Sequence, residues 1–475
     1  MIDAPGKHTQ GKPSMKDTAN APKPRRHRLA RLATLTVLFP FALGSAAQTS
    51  LQWPGNGDPA RAIAPAPLAQ DALPSPTTLP TVNVQQPHMP LAAGFNVAEF
   101  ELLAQSLVAE QKVPGLAMAI VHNGRILSAR GYGITDVKAA EPVDAHTVFR
   151  LASLSKSFAG TLTGMLVSEG MLRWDSKVSD YLPSLRFSDP SAAQQLTVAD
   201  VLSHRVGISH NAFDRDIEGN ADYHNLVQKL AYAPMKCQPG DCYAYQNVAF
   251  SLIGDVVFAT TGQFYGESVA SKIFKPLGMN DASVGLEGIE NSPRWAKPHV
   301  RGRGGWVSLM PKPTYYRVAP AAGVNARISD MAQWLIAPTG HRPDVLPASL
   351  LATLHSSVVD TPTEMRGSSW RRERLTGAGY GLGWRVYNYA GQRIVFHGGA
   401  VQGYRGAIAL VPGRDLGIVL LWNGESAAPN GMLPTILDRA FGLPYHAWIK
   451  TEGLPALYPA AAAGAQATTA EAAPE

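Results

Sequence analysis

The chain has 475 residues, of which 45% are hydrophobic and 16% charged, as is typical of a globular protein with a large buried core. Residues 1–47 hold eight of the 42 basic residues and two of the 36 acidic ones, so the remainder carries 34 of each sign and the net charge of +6 belongs to the N-terminal region. A neutral body gives no basis for binding nucleic acid or an anionic membrane, and we expect neither partner.

The first 47 residues have the pattern of a secretory signal peptide. Basic residues up to Arg31 precede a short apolar run at 32–43, and small residues follow at 44–47. The run is shorter than the roughly 20 residues of a membrane-spanning helix. We therefore expect cleavage after Ala47, no stable membrane span after it, and a periplasmic or secreted protein. The pair Arg25-Arg26 leaves a twin-arginine route open.

Composition and periodicity divide the rest of the chain. Residues 48–93 are rich in Pro, Ala and Gln and predict a linker, residues 94–445 a catalytic domain, and residues 446–475 a disordered Ala-rich tail. The domain begins with a helical pattern from Phe95. Apolar runs at 115–121 and 125–132 flank Asn123-Gly124, which is a strong hairpin signal.

The next stretch, 149–160, predicts an extended segment that runs into a helix with Ser153 at its start. Lys156 follows one turn later on the same side of the helix. A helix N-terminus favours the negative charge of an attacking oxygen, and a desolvated lysine loses proton affinity and can act as a base. The pair therefore predicts an activated nucleophile, and the alternative is an ordinary N-capping serine.

The middle and the end of the chain differ in periodicity. Residues 196–290 contain four helical patterns, at 197–203, 223–233, 248–260 and 264–274, and predict a mainly helical lobe. Residues 296–320 are predicted to be irregular, and a helix is predicted at 329–337. Strand patterns follow at 380–389, 393–399, 406–411 and 416–422, before a closing helix at 433–441. These patterns predict an α/β (α+β) fold: one antiparallel sheet built from both chain ends, flanked by helices, with the helical lobe beside it.

Cys237 and Cys242 are the two cysteines of the chain, and they bracket a Pro-Gly turn signal. In an oxidising compartment we expect a disulfide between them, and in the cytoplasm two free thiols.

Candidate partners for Ser153 lie further along the chain. Tyr245 and Asn247 precede an apolar helix, where a phenol near a lysine can relay a proton and an amide can hold the lysine or the substrate. Tyr223 has the same spacing to an asparagine, but we prefer Tyr245 because the neighbouring turn fixes it. A third segment at the end of a strand allows close approach of a ligand to the backbone: His397, Gly398, Gly399 and Ala400.

Together these motifs resemble the Ser-x-x-Lys hydrolase superfamily. The resemblance rests on residues 149–156, 245–247 and 397–399, and on the blocks at 196–204, 273–279 and 380–384. The superfamily includes class C β-lactamases, family VIII esterases, D-aminopeptidases and low-molecular-weight penicillin-binding proteins. It implies a β-lactamase/transpeptidase-like fold and an acyl-enzyme route on Ser153, with Lys156 and Tyr245 moving the proton. The backbone N–H groups of Ser153 and Ala400 would then bind the oxyanion.

The chain departs from the family pattern at His397, where β-lactamases and many transpeptidases have a lysine with a fixed positive charge. A histidine is mostly neutral at pH 7, and Gly398 lacks the hydroxyl of Thr or Ser. We therefore expect an esterase or a peptidase acting on D-residues rather than a strong penicillinase. Arg405 is a candidate for the missing charge.

Two alternatives stay open: a true class C β-lactamase, and a catalytically silent penicillin-recognising domain that binds or senses a ligand. The histidines show no His-Glu-x-x-His spacing, so we expect no metal and no organic cofactor. The expected partner is a small-molecule or short-peptide substrate.

Overall fold

The computed structural model describes residues 88–450. The predicted signal peptide, almost all of the predicted linker and residues 451–475 of the predicted tail lie outside the described residues. Within 88–450, no helix is both long enough and apolar enough to cross a bilayer.

Thirteen strands lie in the described part of the chain, and two helices position the nucleophile segment and the sheet. The strands are β1 (Gly115–His122), β2 (Arg125–Gly133), β3 (Val148–Arg150), β4 (Ser283–Val284), β5 (His299–Gly302), β6 (Gly305–Ser308), β7 (Val324–Arg327), β8 (Val359–Asp360), β9 (Leu375–Tyr380), β10 (Arg385–Tyr389), β11 (Gln392–Val401), β12 (Tyr404–Val411) and β13 (Leu416–Trp422). The helices are α1 (Val97–Ala109) and α2 (Ser155–Ser168).

Eight strands form one antiparallel sheet in the order β2-β1-β13-β12-β11-β10-β9-β8. Strands from the two ends of the sequence meet in this sheet, because β1 pairs with β13 from Leu116 opposite Trp422 to His122 opposite Leu416. The predicted sheet from both chain ends is thus confirmed, as is the antiparallel meander of the last three strands. The hairpin at Asn123-Gly124 is also present, and both residues have positive φ, as its tight turn requires.

The sheet is covered on both faces, which explains why β1 is an almost continuous apolar run. Its alternate residues enter two different cores: Ala117, Ala119 and Val121 face one, and Leu116, Met118 and Ile120 the other. Helix α1 and the closing helix Met432–Phe441 cover the second face. Helix α2 and the helix Ile328–Ile336 cover the first face, and the core on that side also continues into the helical lobe.

Helices predominate where the helical lobe was predicted. Between residues 196 and 290, helical segments replace the sheet, and the single exception among the described strands is the two-residue β4. The α-helices of this region are Val198–Leu202, Asp214–Glu218, Tyr223–Lys229, Leu252–Thr261, Tyr265–Val269, Lys275–Leu277 and Leu286–Glu290. The remaining α-helices of the described chain are Val178–Tyr181, Pro190–Gln195, Ala319–Ala322, Ala348–Leu354 and Ser369–Arg374.

Two expectations about secondary structure were wrong. The segment 296–320 is not irregular throughout, because β5 and β6 form a hairpin within it. The pattern at 380–389 is not one strand, because Gly383 has a φ of +82° and breaks it into β9 and β10. Only glycine adopts that conformation readily, so this position ends a strand that hydropathy alone would continue.

The turn between β9 and β10 packs directly on α2. A Cβ atom at Gly160 would lie 2.0 Å from the Leu382 carbonyl oxygen, and one at Gly383 would lie 2.3 Å from the Lys156 carbonyl oxygen. Two glycines therefore let helix and turn touch backbone to backbone, and this contact sets the position of Lys156 relative to the sheet.

Both ends of the described chain are attached to the domain. The Met89 amide donates to the Gly413 carbonyl, and the Ala92 amide to the Ala440 carbonyl. Trp448 donates to Asp438, and Ile449 is 6% exposed. Residues just outside the predicted boundaries at 94 and 445 are therefore attached to the rest of the described chain.

Candidate active site

The nucleophile segment is a sharp turn between β3 and α2. Ala152 has a φ of +51°, which is unfavourable for a residue with a side chain. Ser153 follows in a single turn of 3-10 helix that runs straight into α2. The Ser155 hydroxyl fixes the turn from inside, because it donates to the Ala152 carbonyl at 2.6 Å and accepts from the Val324 amide at 3.0 Å. The turn presents Ser153 at the start of the helix.

Lys156 is fully buried below Ser153, and its amine has three oxygen atoms around it. Nζ lies 2.8 Å from Asn247 Oδ1, 3.0 Å from the Ala321 carbonyl oxygen and 3.4 Å from Ser153 Oγ. Burial lowers the pKa of Lys156 well below its ordinary value. In the neutral amine, the two N–H groups satisfy the two carbonyl oxygens and the lone pair faces the serine hydroxyl. This geometry allows Lys156 to accept the Ser153 proton.

Asn247 connects Lys156 to a carboxylate. Its Nδ2 donates to Asp214 Oδ2 at 2.8 Å while its Oδ1 accepts from Lys156. Burial raises the pKa of Asp214 to about 6. Asp214 favours protonated Lys156, opposing the effect of burial on the amine. The sequence interpretation missed Asp214, since nothing in its local sequence marks it.

Tyr245 lies beside both residues of the pair. Its side chain lines the same cleft as Ser153, and Lys156 Nζ is 4.6 Å from the centre of its ring. Burial raises the pKa of Tyr245 to about 12, and the nearby Arg385 opposes this shift. The rival residue, Tyr223, instead donates to Asp255 at 2.6 Å, and it does not line the cleft that contains Ser153.

The segment that carries Tyr245 is held by backbone bonds and by the Cys237–Cys242 disulfide. The Asn211 amide donates to the Tyr245 carbonyl at 2.7 Å, and the Ala244 amide to the His204 carbonyl at 2.9 Å. The predicted pairing of the two cysteines is present in the structure, and its turn ends three residues before the phenol.

The glycine-bearing edge of β11 lies against the nucleophile turn. A Cβ atom at Gly399 would lie 2.6 Å from the Leu151 carbonyl oxygen and 3.3 Å from the Ser153 amide nitrogen. Gly398, Gly399 and Ala400 line the same cleft as Ser153. A glycine is therefore required at 399 for the two backbones to approach this closely, and the amides of Ser153 and Ala400 belong to adjoining walls.

His397 occupies a different place from the one that its predicted substrate-binding role requires. The imidazole is 1% exposed and does not line the cleft. Its Nε2 contacts the Tyr380 hydroxyl at 3.1 Å, and its Nδ1 contacts the Gly398 carbonyl oxygen at 2.8 Å. Successive side chains of a strand point to opposite faces, so His397 faces the interior while residues 398–400 line the cleft.

The cleft has a volume of about 680 Å³ and is lined by both polar and apolar groups. Besides the predicted residues, its wall contains an arginine pair held by one acid: Arg371 and Arg385 both form ion pairs with Glu364. Arg385 also lies 5.4 Å above the centre of the Tyr245 ring. The sequence interpretation stopped at Trp384, one residue before Arg385, and missed this cation.

Arg405, the candidate for a missing charge, also lines the cleft. Its Nη1 donates to the carbonyls of Val401 and Tyr404, at 2.5 and 2.8 Å, and its Nη2 is 3.9 Å from Glu425. The backbone thus holds the guanidinium in the wall of the cleft. Within residues 88–450, no group of three or more His, Cys, Asp and Glu side chains has the arrangement of a metal site.

Known proteins resemble this chain in sequence and fold. Residues 100–441 match the family model described as Beta-lactamase. The unguisins hydrolase ungD' of Aspergillus campestris is 26% identical over 340 residues, which cover 69% of this chain and 62% of that protein. The D-aminopeptidase of Gluconobacter oxydans is 28% identical over 370 residues, which cover 76% of this chain and 65% of that protein. The chain therefore spans less than two thirds of the length of either relative.

A solved structure shows the same fold. The octameric penicillin-binding protein homologue from Pyrococcus abyssi superposes with a TM-score of 0.64 at 25% identity, over 73% of this chain and 78% of that chain.

Proposed function

The chain belongs to the Beta-lactamase family, and on that premise we propose that it is an exported serine hydrolase that cleaves an ester or an amide through an acyl intermediate on Ser153. We assign the catalytic domain to residues 94–445. The observation that carries the proposal is the position of Lys156 Nζ, which has two carbonyl-type acceptors at 2.8 and 3.0 Å and the Ser153 hydroxyl as its third neighbour at 3.4 Å.

In the first half of the reaction, Ser153 Oγ attacks the substrate carbonyl carbon while Lys156 takes the hydroxyl proton. The developing negative charge on the carbonyl oxygen is stabilised by the backbone N–H groups of Ser153 and Ala400. Tyr245 then delivers a proton to the leaving alcohol or amine as the bond between it and the carbonyl carbon breaks. Tyr245 is suited to this step because it lines the cleft that contains Ser153 and its ring lies next to Lys156.

In the second half, a water molecule attacks the acyl group and the Ser153 oxygen leaves. The water loses a proton to the Tyr245–Lys156 pair, and the serine oxygen regains one. The products are a carboxylic acid and the free enzyme, so no cofactor is consumed.

We favour esters and D-amino-acid amides or peptides over β-lactams as substrates. Where a lysine would offer a fixed cation, this chain has His397. Its imidazole is buried, and this burial lowers its pKa well below the ordinary value. Recognition of a β-lactam carboxylate would then depend on the arginines that line the cleft, and of these Arg371 and Arg385 are already paired with Glu364, which leaves Arg405. The likeness to a D-aminopeptidase supports the same ranking.

Export is supported by the signal-peptide pattern of residues 1–47 and by the Cys237–Cys242 disulfide. The test of this part of the proposal is fractionation of cells that express the full chain with a C-terminal tag. We expect a processed form that begins near residue 48 outside the cytoplasm, and an unprocessed cytoplasmic protein would contradict export.

The nucleophile is tested by labelling with a fluorophosphonate. We expect the wild-type protein to be labelled and the Ser153→Ala variant to remain unlabelled, because the reagent forms a covalent bond with an activated serine oxygen. Lys156→Ala should label at least about 100-fold more slowly, which is the lower range for loss of a general base. Equal labelling of wild-type protein and Ser153→Ala would remove Ser153 as the nucleophile.

The substrate class is tested with a panel of short-chain nitrophenyl esters, D-alanyl nitroanilides and a chromogenic cephalosporin. We expect turnover of the first two groups. Turnover of the cephalosporin alone would instead favour a class C β-lactamase, and an unlabelled protein that turns over none of the three would favour a binding or sensing domain.

A further inference from the structure

Three buried side chains connect the two walls of the cleft beneath the proposed nucleophile. His204 Nε2 lies 3.1 Å from the Tyr380 hydroxyl, and the same hydroxyl lies 3.1 Å from His397 Nε2. His204 and Tyr380 are 0% exposed and His397 is 1% exposed. None of the three lines the cleft.

When the imidazoles are neutral, the two ends of this chain of hydrogen bonds fix the direction of every proton in it. At one end the backbone nitrogen of Gln246, whose N–H can only donate, lies 3.2 Å from His204 Nδ1. At the other end the Gly398 carbonyl oxygen, which can only accept, lies 2.8 Å from His397 Nδ1. Thus His204 Nδ1 accepts and its Nε2–H donates to the tyrosine oxygen, while the Tyr380 hydroxyl donates to His397 Nε2 and the His397 Nδ1–H donates to Gly398.

Both imidazoles must be neutral for this order, since each presents one acceptor nitrogen. Burial lowers the pKa of His204 and of His397 well below their ordinary values, and the charge of Arg385 lowers them further, as does Lys156 whenever its amine is protonated. The surroundings therefore favour the protonation state that the hydrogen bonds require.

The ends of the chain lie beside proposed catalytic groups. Gln246 stands between Tyr245 and Asn247, and the His204 ring is 4.3 Å from the Tyr245 ring, centre to centre. At the other end, Gly398 precedes Gly399, which lies against the Ser153 turn. Along a strand, the backbone groups of residues i and i+2 point to the same edge, so a bond that holds the Gly398 carbonyl also orients the Ala400 amide.

We infer that His204, Tyr380 and His397 are positioning residues that fix the oxyanion-binding edge of β11 relative to the Tyr245–Asn247 segment, and that His397 is not a ligand of the substrate. This inference rests on the proposed acyl transfer at Ser153. In this arrangement the substrate is not contacted by a charged side chain at position 397. A neutral chain of hydrogen bonds acts on the site through the backbone of residue 398 instead.

The first test removes the central hydroxyl, using full-length mature protein and a nitrophenyl ester. In Tyr380→Phe both hydrogen bonds to that oxygen are lost, and we expect kcat to fall about 10- to 100-fold while KM stays within about two-fold. The matched control is Tyr389→Phe on the neighbouring strand. Its hydroxyl is also buried and donates to Asp438 at 2.6 Å, but it lies outside the cleft lining. We expect the control to lower Tm without changing kcat by more than about two-fold.

The second test separates the two bonds of His397. Asn places an N–H near the position of Nδ1, so His397→Asn retains the bond to the Gly398 carbonyl. Gln places an oxygen near the position of Nε2, so His397→Gln retains the bond from Tyr380 and loses the one to Gly398. We expect kcat to decrease in the order wild type, His397→Asn, His397→Gln, with KM nearly constant. These variants keep the inference testable if Tyr380→Phe does not fold.

Two results would overturn it. One is a kcat for Tyr380→Phe equal to that of Tyr389→Phe, which would make the chain merely structural. The other is a rise in KM with little change in kcat in both His397 variants, which is the result for a direct substrate ligand. Fluorophosphonate labelling of wild-type protein is measured alongside, so that failure of the proposed hydrolase at Ser153 is recognised separately.

Discussion

Lys156 Nζ and Asn247 Oδ1 are 2.8 Å apart in the protein interior, and Nδ2 of the same asparagine is 2.8 Å from Asp214 Oδ2. A neutral group thus separates the buried amine from the nearest carboxylate. Because an adjacent negative charge would stabilise the ammonium form, this spacing keeps a lysine that can act as a base while still satisfying its hydrogen bonds.

Exchanging the amide and the carboxylate should move the pH dependence of the reaction. In the double variant Asn247→Asp/Asp214→Asn, the charge lies next to Lys156 and the pKa of the lysine rises, so the ascending limb of kcat/KM should move to higher pH. In Asp214→Asn alone, the carboxylate that favours the ammonium is absent, and the limb should move to lower pH. The measurement is the pH profile of ester hydrolysis for the three proteins. Coincident profiles would show that the lysine does not titrate in the active pH range.

Asp214→Asn should also change stability in a pH-dependent way. The pKa of Asp214 is raised in the folded protein from 3.8 to about 6, so its contribution to stability is full below pH 4 and is lost as the pH rises through 6. The variant has no such loss. At about 1.4 kcal/mol per pKa unit, the free energy of unfolding of the variant should rise relative to that of wild type by on the order of 1–3 kcal/mol between pH 4 and pH 7. Denaturant unfolding at the two pH values measures this gain, and a difference that stays constant with pH would contradict it.

Gly160→Ala should destabilise the protein by about 1–3 kcal/mol, the usual cost of overpacking. The added methyl would lie 2.0 Å from the Leu382 carbonyl oxygen, so α2 and the turn before β10 must separate. The control is Gly164→Ala on the same helix, where the closest atom is the end of the Leu350 side chain at 2.5 Å, which can rotate away. Helix propensity favours alanine at both sites by about 0.5–1 kcal/mol, so the control should be nearly neutral. Thermal unfolding measures the change in stability of both variants, and equal changes would contradict the backbone contact.

Removal of the disulfide should have a modest effect on stability. Cys237 and Cys242 enclose a short loop, for which the chain-entropy relation gives about 2 kcal/mol. Cys237→Ala/Cys242→Ala should therefore lower Tm by a few degrees, and kcat should fall because the Tyr245 segment is less well fixed. Reductant should have the same effect on the wild-type protein and none on the variant. A reductant effect on the variant would point to a different cause.

Residues 1–47 and the tail after 450 stay predictions from the sequence. For the domain itself, local patterns were sufficient where the relevant interactions are local. Asn123-Gly124 predicted a hairpin because few residues other than Asn and Gly adopt its left-handed turn. Ser153 and Lys156 could be predicted to lie on the same side of the helix because they are one helical turn apart. The order of strands after residue 390 followed from their alternation and from the turns between them.

Other features depended on contacts between segments far apart in the chain. The β5–β6 hairpin escaped prediction because it carries little hydrophobic alternation, and the break at Gly383 became visible only through its φ and its contact with α2. Asp214 and Arg385 were missed because a carboxylate or a guanidinium has no periodic signature, and each acquires its role from what it faces across the cleft.

The sequence by itself determined which groups are candidates for catalysis and in which order they occur: Ser153 with Lys156, then Tyr245 with Asn247, then the glycines at 398 and 399. Only the tertiary structure decided which way the groups point. His397 shows the difference, because its residue type suggested a ligand of the substrate while its strand position turns the ring toward Tyr380 and His204. The physical reason is that a side chain's protonation and hydrogen bonds are set by its burial and its neighbours, and those neighbours lie 17 and 193 positions away in the chain.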